Sequence, residues 1–160
     1  SSDLAAFAEI AGEFPSAELH IIGCRPALDA PRVRIHGRIP ASGIPAHLAD
    51  ADIFCMPSRV EPSAVALVEA AACGLPVIAT DVGGNAERMI PGTTGLLVEA
   101  GAVRQLADAL RTLLGNRTLR EQMGRAGRAF ALETFTWPAV AEKMASRMRA
   151  ELAAGEPRIP

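Results

Sequence analysis

The sequence predicts an α/β fold in which helices cover both faces of a parallel sheet of about five strands. Short apolar segments alternate along the chain with helical patterns, which is typical of strand–helix–strand units. The segments 52–57 and 76–80 are apolar at nearly all positions, which indicates strands buried on both faces. The length of 160 residues fits one domain. We therefore expect a doubly wound domain over residues 1–154 and a loose tail over 155–160.

Five segments carry strand signals. β-Branched and other apolar residues are concentrated in them, and Gly23, Gly37 and Pro57 end the first three. The fourth opens into a loop with two consecutive glycines. The predicted strands are 17–23, 33–37, 52–57, 76–80 and 96–98.

Helices are predicted between and after these strands, where apolar residues recur at three- and four-residue spacing. Pro15 stops the first helix, Gly74 ends the helix after the third strand, and Gly115 separates two helices near the C-terminus. The predicted helices are 4–14, 45–51, 63–73, 85–90, 103–114, 117–133 and 136–152.

Composition and charge exclude several classes of function. The 16 basic and 18 acidic residues leave a net charge of −2, which provides no basic field for nucleic acid. No apolar run approaches the roughly 18 residues of a membrane span, and the N-terminus has no signal-peptide pattern. We expect a cytoplasmic protein that binds no nucleic acid, with peripheral contact at the inner membrane face as the alternative for a full-length protein.

Cysteine and histidine spacing indicates neither a disulfide framework nor a metal site. The cysteines form no C-x-x-C pair, and the histidines lack metal-ligand spacing along the chain. We expect buried thiols in a reducing compartment and histidines with structural roles. The residues concerned are Cys24, Cys55, Cys73, His20, His36 and His47.

The start of the predicted helix 63–73 is a candidate anion site. The chain has no phosphate-loop or dinucleotide fingerprint. Backbone N–H groups at a helix start are unpaired and attract anions, and Pro62 suits the first helical turn. This end of the helix lies at the carboxyl edge of the predicted sheet, where ligands of such sheets bind.

Two carboxylates accompany this helix start. Glu61 precedes the helix, and Glu69 lies among Ala, Val and Leu residues, which predicts burial. Eight helical residues would separate the two by roughly 12 Å, so that each carboxylate could bind one end of a sugar nucleotide. The alternatives are that Glu61 only stabilises the helix start and that Glu69 faces solvent.

Three motifs together resemble a known enzyme family. They are Glu61-x7-Glu69, the segment 69–84 (EAAACGLPVIATDVGG) and the segment 92–98 (GTTGLLV). In this order they are similar to the donor domain of GT4-type retaining glycosyltransferases of the GT-B fold, the glycosyl transferases group 1. The resemblance covers nearly the whole chain. It implies a Rossmann-like three-layer α/β/α domain that lacks the first strand of the family domain.

The resemblance also implies roles for single residues. It implies that Glu61 is the catalytic residue and contacts the hydroxyls of the donor sugar. It implies that Glu69 contacts the ribose hydroxyls. It places Gly83 and Gly84 at the border of the sugar pocket. Diphosphate is expected to meet backbone amides, and the base is expected to lie near the end of the second strand. The residues expected at the diphosphate are Ser63, Ala64 and Val65, and those expected near the base are Gly37 and Arg38.

The sequence departs from the family pattern in one position of this site. Members usually have a glycine-rich step after the first glutamate, where this chain has Pro62-Ser63-Ala64. Ala64 adds a β-carbon where the backbone is expected to approach phosphate closely. The departure therefore predicts that phosphate binding at this site is shifted or weakened.

As a whole, the resemblance implies the donor-binding half of an enzyme that moves a sugar from a UDP-, GDP- or ADP-linked donor to an acceptor. The configuration at the anomeric carbon is expected to be retained. No metal or cofactor is expected. The N-terminal acceptor-binding domain and the basic residues that hold the diphosphate are expected outside the chain, so this part alone would be inactive. An exposed apolar face on helix 136–152 predicts self-association. The alternatives are a non-catalytic sugar-nucleotide-binding subunit and a related epimerase.

Overall fold

The computed structural model describes residues 2–23, 30–62 and 64–154, and it contains five strands and six α-helices in these ranges. The elements are α1 (Ser2–Ile10), β1 (Leu19–Ile22), β2 (Val33–Gly37), α2 (Ile44–Ala49), β3 (Phe54–Met56), α3 (Val65–Ala72), β4 (Val77–Thr80), β5 (Gly95–Val98), α4 (Val103–Gly115), α5 (Arg117–Thr134) and α6 (Trp137–Ala154). The predicted α/β class is confirmed. The predicted helix 85–90 is only a 3₁₀ turn over Ala86–Arg88, and the first helix ends at Ile10 instead of residue 14.

All strand pairs are parallel, but the described strands form two hydrogen-bonded groups instead of one sheet. β1 pairs with β2, and β4 lies between β3 and β5. The doubly wound order is 3-2-1-4-5-6. The groups β2-β1 and β3-β4-β5 would give this order with one further strand between them.

Helices cover both faces of the strand layer, as β4 shows. Val77, Ile78 and Ala79 are all buried. Ile78 packs in one core cluster with α1 and α4, while Val77 and Ala79 pack in a second cluster that contains Leu67 of α3. Because strand side chains alternate between faces, the two clusters lie on opposite sides of the sheet. This is the predicted three-layer arrangement. Leu19 of β1 also packs against the first cluster, so the two strand groups share one core.

An exposed apolar seam lies on α6. Met144, Met148 and Leu152 recur at four-residue spacing, and each is more than 60% exposed. Trp137 at the start of the helix is 87% exposed. The apolar face predicted for residues 136–152 is therefore present. Within the described part of the chain, no helix combines the length and apolar character needed to cross a membrane.

Arg32 joins the end of α1 to the start of β2. Its guanidinium donates to the backbone oxygen of Phe14 at 2.8 Å and to that of Ala11 at 2.7 Å. It also lies 5.8 Å from the centre of the Phe7 ring. The arginine thus supplies donors to two backbone carbonyl groups in the segment that follows α1.

Replacing Arg32 with alanine is expected to destabilise the domain by roughly 2–3 kcal/mol, because two charge-assisted hydrogen bonds are lost. The melting temperature should fall by roughly 5–10 °C. The control is Arg34→Ala: Arg34 makes an exposed ion pair with Glu18, and such pairs contribute about 1 kcal/mol or less. Equal melting temperatures for the two variants would contradict the role of Arg32.

Candidate functional site

Two loops that follow adjacent parallel strands touch at the centre of the site. Because β3 and β4 pair in parallel, the loops that follow them leave the sheet at the same edge. Gly83 has a φ of 53°, and a β-carbon at this position would lie 1.7 Å from the backbone oxygen of Glu61. A β-carbon at Gly84 would lie 3.2 Å from the backbone oxygen of Pro62. The two glycines therefore allow the loops to pack backbone against backbone, beside Glu61.

Two buried polar side chains hold these loops. Thr80 Oγ1 donates to the backbone oxygen of Ser58 at 2.6 Å, which joins the end of β4 to the loop after β3. Asn85 Nδ2 donates to the backbone oxygen of Thr80 at 2.9 Å. Both side chains are buried, and Asn85 Oδ1 has no hydrogen-bond partner among the described residues. Sequence reasoning missed both residues. The available signal was a threonine that ends an otherwise apolar strand, with an asparagine after the glycine pair.

The helix with the predicted anion site begins later than predicted. α3 starts at Val65, so Pro62 is not in its first turn. The backbone of Glu61 and Pro62 packs instead against the Gly83–Gly84 loop. Ala64 precedes the helix, is buried, and offers no side chain that could cap the first N–H groups. Ser63 lies outside the described residues. The start of α3 therefore lacks a side-chain cap from its preceding residue.

The predicted burial of Glu69 is wrong. α3 buries Leu67 and Ala70 against the core, and Glu69 is exposed. The helix itself consists mostly of small apolar residues on all sides, so its sequence does not show which face is buried. Because the helix starts after Glu61, the predicted helical spacing between the two carboxylates is wrong as well. Glu61 is partly buried.

Gly37 and Arg38 lie at the end of β2, in the other strand group. Gly37 is buried with a φ of 66°. Its backbone oxygen accepts a hydrogen bond from Gly23 N at 2.8 Å, which joins the carboxyl ends of β1 and β2. Arg38 is exposed. The structure thus places the predicted base-binding residues at the end of β2 and the carboxylates after β3.

The thiols differ from each other in burial. Cys55 and Cys73 are free. Burial and then the charge of Asp3 raise the pKa of Cys55 to about 12, so this thiol stays protonated at neutral pH. Cys73 is exposed, so its predicted burial is wrong, because it follows the last turn of α3 at the surface. Cys24 lies outside the described residues.

The fold brings the three histidines together, although they are far apart along the chain. Ring nitrogens of His20, His36 and His47 all lie within 4.8 Å of one another. Burial, followed by the charges of His47 and His20, lowers the pKa of His36, which favours its neutral imidazole. Linear spacing gave no indication of this group.

The sequence matches a family and relatives of known activity. The model of the glycosyl transferases group 1 matches residues 4–116. The GDP-mannose-dependent alpha-(1-6)-phosphatidylinositol monomannoside mannosyltransferase of Mycobacterium tuberculosis is 35% identical over 156 residues. This alignment covers 86% of the chain but 40% of the relative. The chain therefore spans two fifths of the length of this relative.

Solved structures show the same fold. The C-terminal domain of a glycosyl transferase group 1 family protein from Francisella tularensis has a TM-score of 0.77 at 22% identity, covering 85% of this chain and 78% of that domain. The Anabaena protein HepE in complex with UDP-glucose has a TM-score of 0.67 at 26% identity, covering 75% of this chain and 33% of that protein. Together with the family match, these similarities show that the chain belongs to the glycosyl transferases group 1 and has the Rossmann-like architecture of a GT-B domain.

Proposed function

We propose that this chain is the donor-binding domain of a retaining glycosyltransferase that uses a nucleotide diphosphate sugar. The observation that carries the proposal is the contact between the Glu61 loop and the Gly83–Gly84 loop, at the carboxyl edge of the sheet and next to the start of α3. The M. tuberculosis relative is named for its dependence on GDP-mannose, and HepE was solved with UDP-glucose. Both names support a nucleotide sugar as the ligand.

The start of α3 is the proposed position of the diphosphate. A helix N-terminus carries partial positive charge, and its first N–H groups point at a bound anion. The amides proposed to meet the diphosphate are those of Ala64 and Val65, which lie at this start, together with that of Ser63, which lies outside the described residues. As the bond between the anomeric carbon and the diphosphate breaks, negative charge grows on the leaving oxygen. The helix start stabilises this charge more strongly than that of the intact donor, which lowers the barrier.

Glu61 is the proposed catalytic residue, because it orients the hydroxyls of the donor sugar. Positive charge develops on the sugar ring as the leaving group departs, and a nearby carboxylate stabilises that charge. The acceptor oxygen then bonds to the anomeric carbon on the face that the diphosphate left, and the acceptor proton passes to the leaving diphosphate. Gly83 and Gly84 border the sugar and hold the Glu61 backbone in place.

Glu69 and the end of β2 are proposed to bind the nucleoside. The exposed carboxylate of Glu69 can accept hydrogen bonds from both ribose hydroxyls. Gly37 and Arg38 are proposed to lie beside the base of a UDP, GDP or ADP donor.

The acceptor is proposed to bind a second domain that is not among these 160 residues. The M. tuberculosis relative is considerably longer than the matched part. The exposed seam of Met144, Met148 and Leu152 on α6 is suited to packing against such a domain. In isolation, the chain is expected to bind the donor without transferring sugar and to self-associate through the same seam.

Calorimetry with UDP, GDP and ADP tests the donor site. We expect one nucleotide to bind, and Glu69→Ala to weaken its binding by roughly 10- to 100-fold, as expected for loss of hydrogen bonds to a charged group. Glu133→Ala is the matched control, because Glu133 is also an exposed helical carboxylate but lies on α5. Equal affinities for the two variants would contradict the ribose role. Failure of all three nucleotides to bind the unmodified chain would reject donor binding by this domain alone.

A further inference from the structure

A cluster of three histidines joins β1, β2 and α2. His20 Nδ1 and His36 Nε2 are 3.2 Å apart. The rings of His36 and His47 meet edge to face, with centroids 4.6 Å apart. One ring nitrogen from each histidine lies within 4.8 Å of the other two. Three imidazole nitrogens therefore converge on one small volume.

The parallel register explains this convergence. His20 lies opposite Arg34 across the β1–β2 pair, and His36 follows Arg34 by two residues. The register skips His36, because Ile21 pairs with Ile35 and Ile22 with Gly37, and the contact between the rings shows that His20 and His36 lie on the same face. α2 follows β2 and contributes His47 from its last turn. The cluster thus joins three elements that are adjacent in the fold.

One nitrogen–nitrogen distance of the cluster matches that of a tetrahedral metal site. Zinc binds histidine nitrogen at about 2.0–2.1 Å, so two nitrogens on one tetrahedral zinc ion lie about 3.3 Å apart. The separation of 3.2 Å between His20 Nδ1 and His36 Nε2 is close to this value. Imidazole is also the ligand type that zinc shares with other late transition metals, whereas Mg²⁺ and Ca²⁺ prefer oxygen.

A carboxylate orients the first of these ligands. His20 Nε2 lies 3.4 Å from Glu18 Oε2, and Arg34 holds the other Glu18 oxygen at 3.2 Å. When the Nε2–H of His20 donates to Glu18, Nδ1 keeps its lone pair toward His36. Metal-bound histidines commonly donate their second N–H to a carboxylate in this way. In that tautomer, Glu18 orients the ring of His20 and leaves Nδ1 able to bind a metal.

We propose that His20, His36 and His47 bind a zinc ion, with water in the fourth position and Glu18 as the outer partner of His20. The bound ion would connect β1, β2 and α2. Because Gly37 follows His36 directly, zinc would also stabilise the part of the domain that is proposed to face the base. This site does not depend on the proposed transferase activity.

Zinc titration of the metal-free chain tests the proposal. After dialysis against a chelator, calorimetry at neutral pH should show one zinc ion per chain and no binding of Mg²⁺. Glu18→Gln should weaken zinc binding by roughly 10- to 100-fold, as removal of an outer partner does. His36→Ala should weaken it more than Glu18→Gln. Cobalt added in place of zinc should give the visible absorption of a tetrahedral ion, and His36→Ala should abolish it.

Cys73→Ser is the control, because Cys73 carries an exposed free thiol that could bind zinc by itself. This variant should bind zinc as the unmodified chain does. Circular dichroism shows whether each variant is folded, and His47→Gln replaces His36→Ala if the latter is not. Loss of binding in Cys73→Ser, unchanged affinity in the folded histidine variants, or no binding by the unmodified chain would overturn the proposal.

Discussion

Replacing Gly83 with alanine is expected to destabilise the domain by roughly 3 kcal/mol or more. Two costs add. Gly83 has a φ of 53°, in the left-handed region where a β-carbon costs about 1–2 kcal/mol. The added β-carbon would also lie 1.7 Å from the backbone oxygen of Glu61, so one of the two loops must move. Overpacking of this kind typically costs about 1–3 kcal/mol.

Gly101→Ala separates these two costs. Gly101 has a φ of 80°, but a β-carbon there would have no neighbour within 4 Å. Gly101→Ala should therefore destabilise the domain only through its left-handed backbone conformation, by about 1–2 kcal/mol. Urea denaturation of both variants measures the difference. If both lose the same free energy of unfolding, the contact between the Glu61 loop and the Gly83 loop does not contribute to stability.

The strands and the loop order were predictable because their signals are local. The segment around β4 is apolar at consecutive positions, and the structure buries Val77, Ile78 and Ala79. A proline or glycine lies at the end of most predicted strands in the sequence. A parallel sheet predicts that the loops after β3 and β4 lie at one edge, and the structure shows that these loops are neighbours.

Features that depend on contacts between distant segments were not predictable. Val65 begins α3 because the preceding backbone packs on Gly83, which a single helix pattern cannot show. Glu69 is exposed, although its neighbours along the helix are apolar, because Ala and Val fit both a buried and an exposed face. His20 and His36 come together only through strand register. Linear spacing carries no information about such pairs.

Two glycines in α5 give a second prediction, in which the same substitution has opposite effects. Alanine in a helix is usually favoured over glycine by about 0.5–1 kcal/mol. Gly124 and Gly127 are both buried where α5 crosses the core. A β-carbon at Gly124 would lie 2.0 Å from the backbone oxygen of Gly74. At Gly127 it would lie 3.6 Å from the β-carbon of Ala71, which is an ordinary contact.

Gly124→Ala is therefore expected to lose roughly 2–3 kcal/mol, because the clash is with backbone in the turn between α3 and β4 and exceeds the gain in helix propensity. Gly127→Ala should be neutral or stabilised by up to about 1 kcal/mol. Thermal denaturation should place the melting temperature of Gly124→Ala lower by roughly 5–10 °C. A destabilisation of equal size at both positions would mean that α5 tolerates no added methyl group, and a gain at both would show that the turn at Gly74 can move away from the helix. Either result would contradict close packing of α5 on Gly74 as the reason for glycine at position 124.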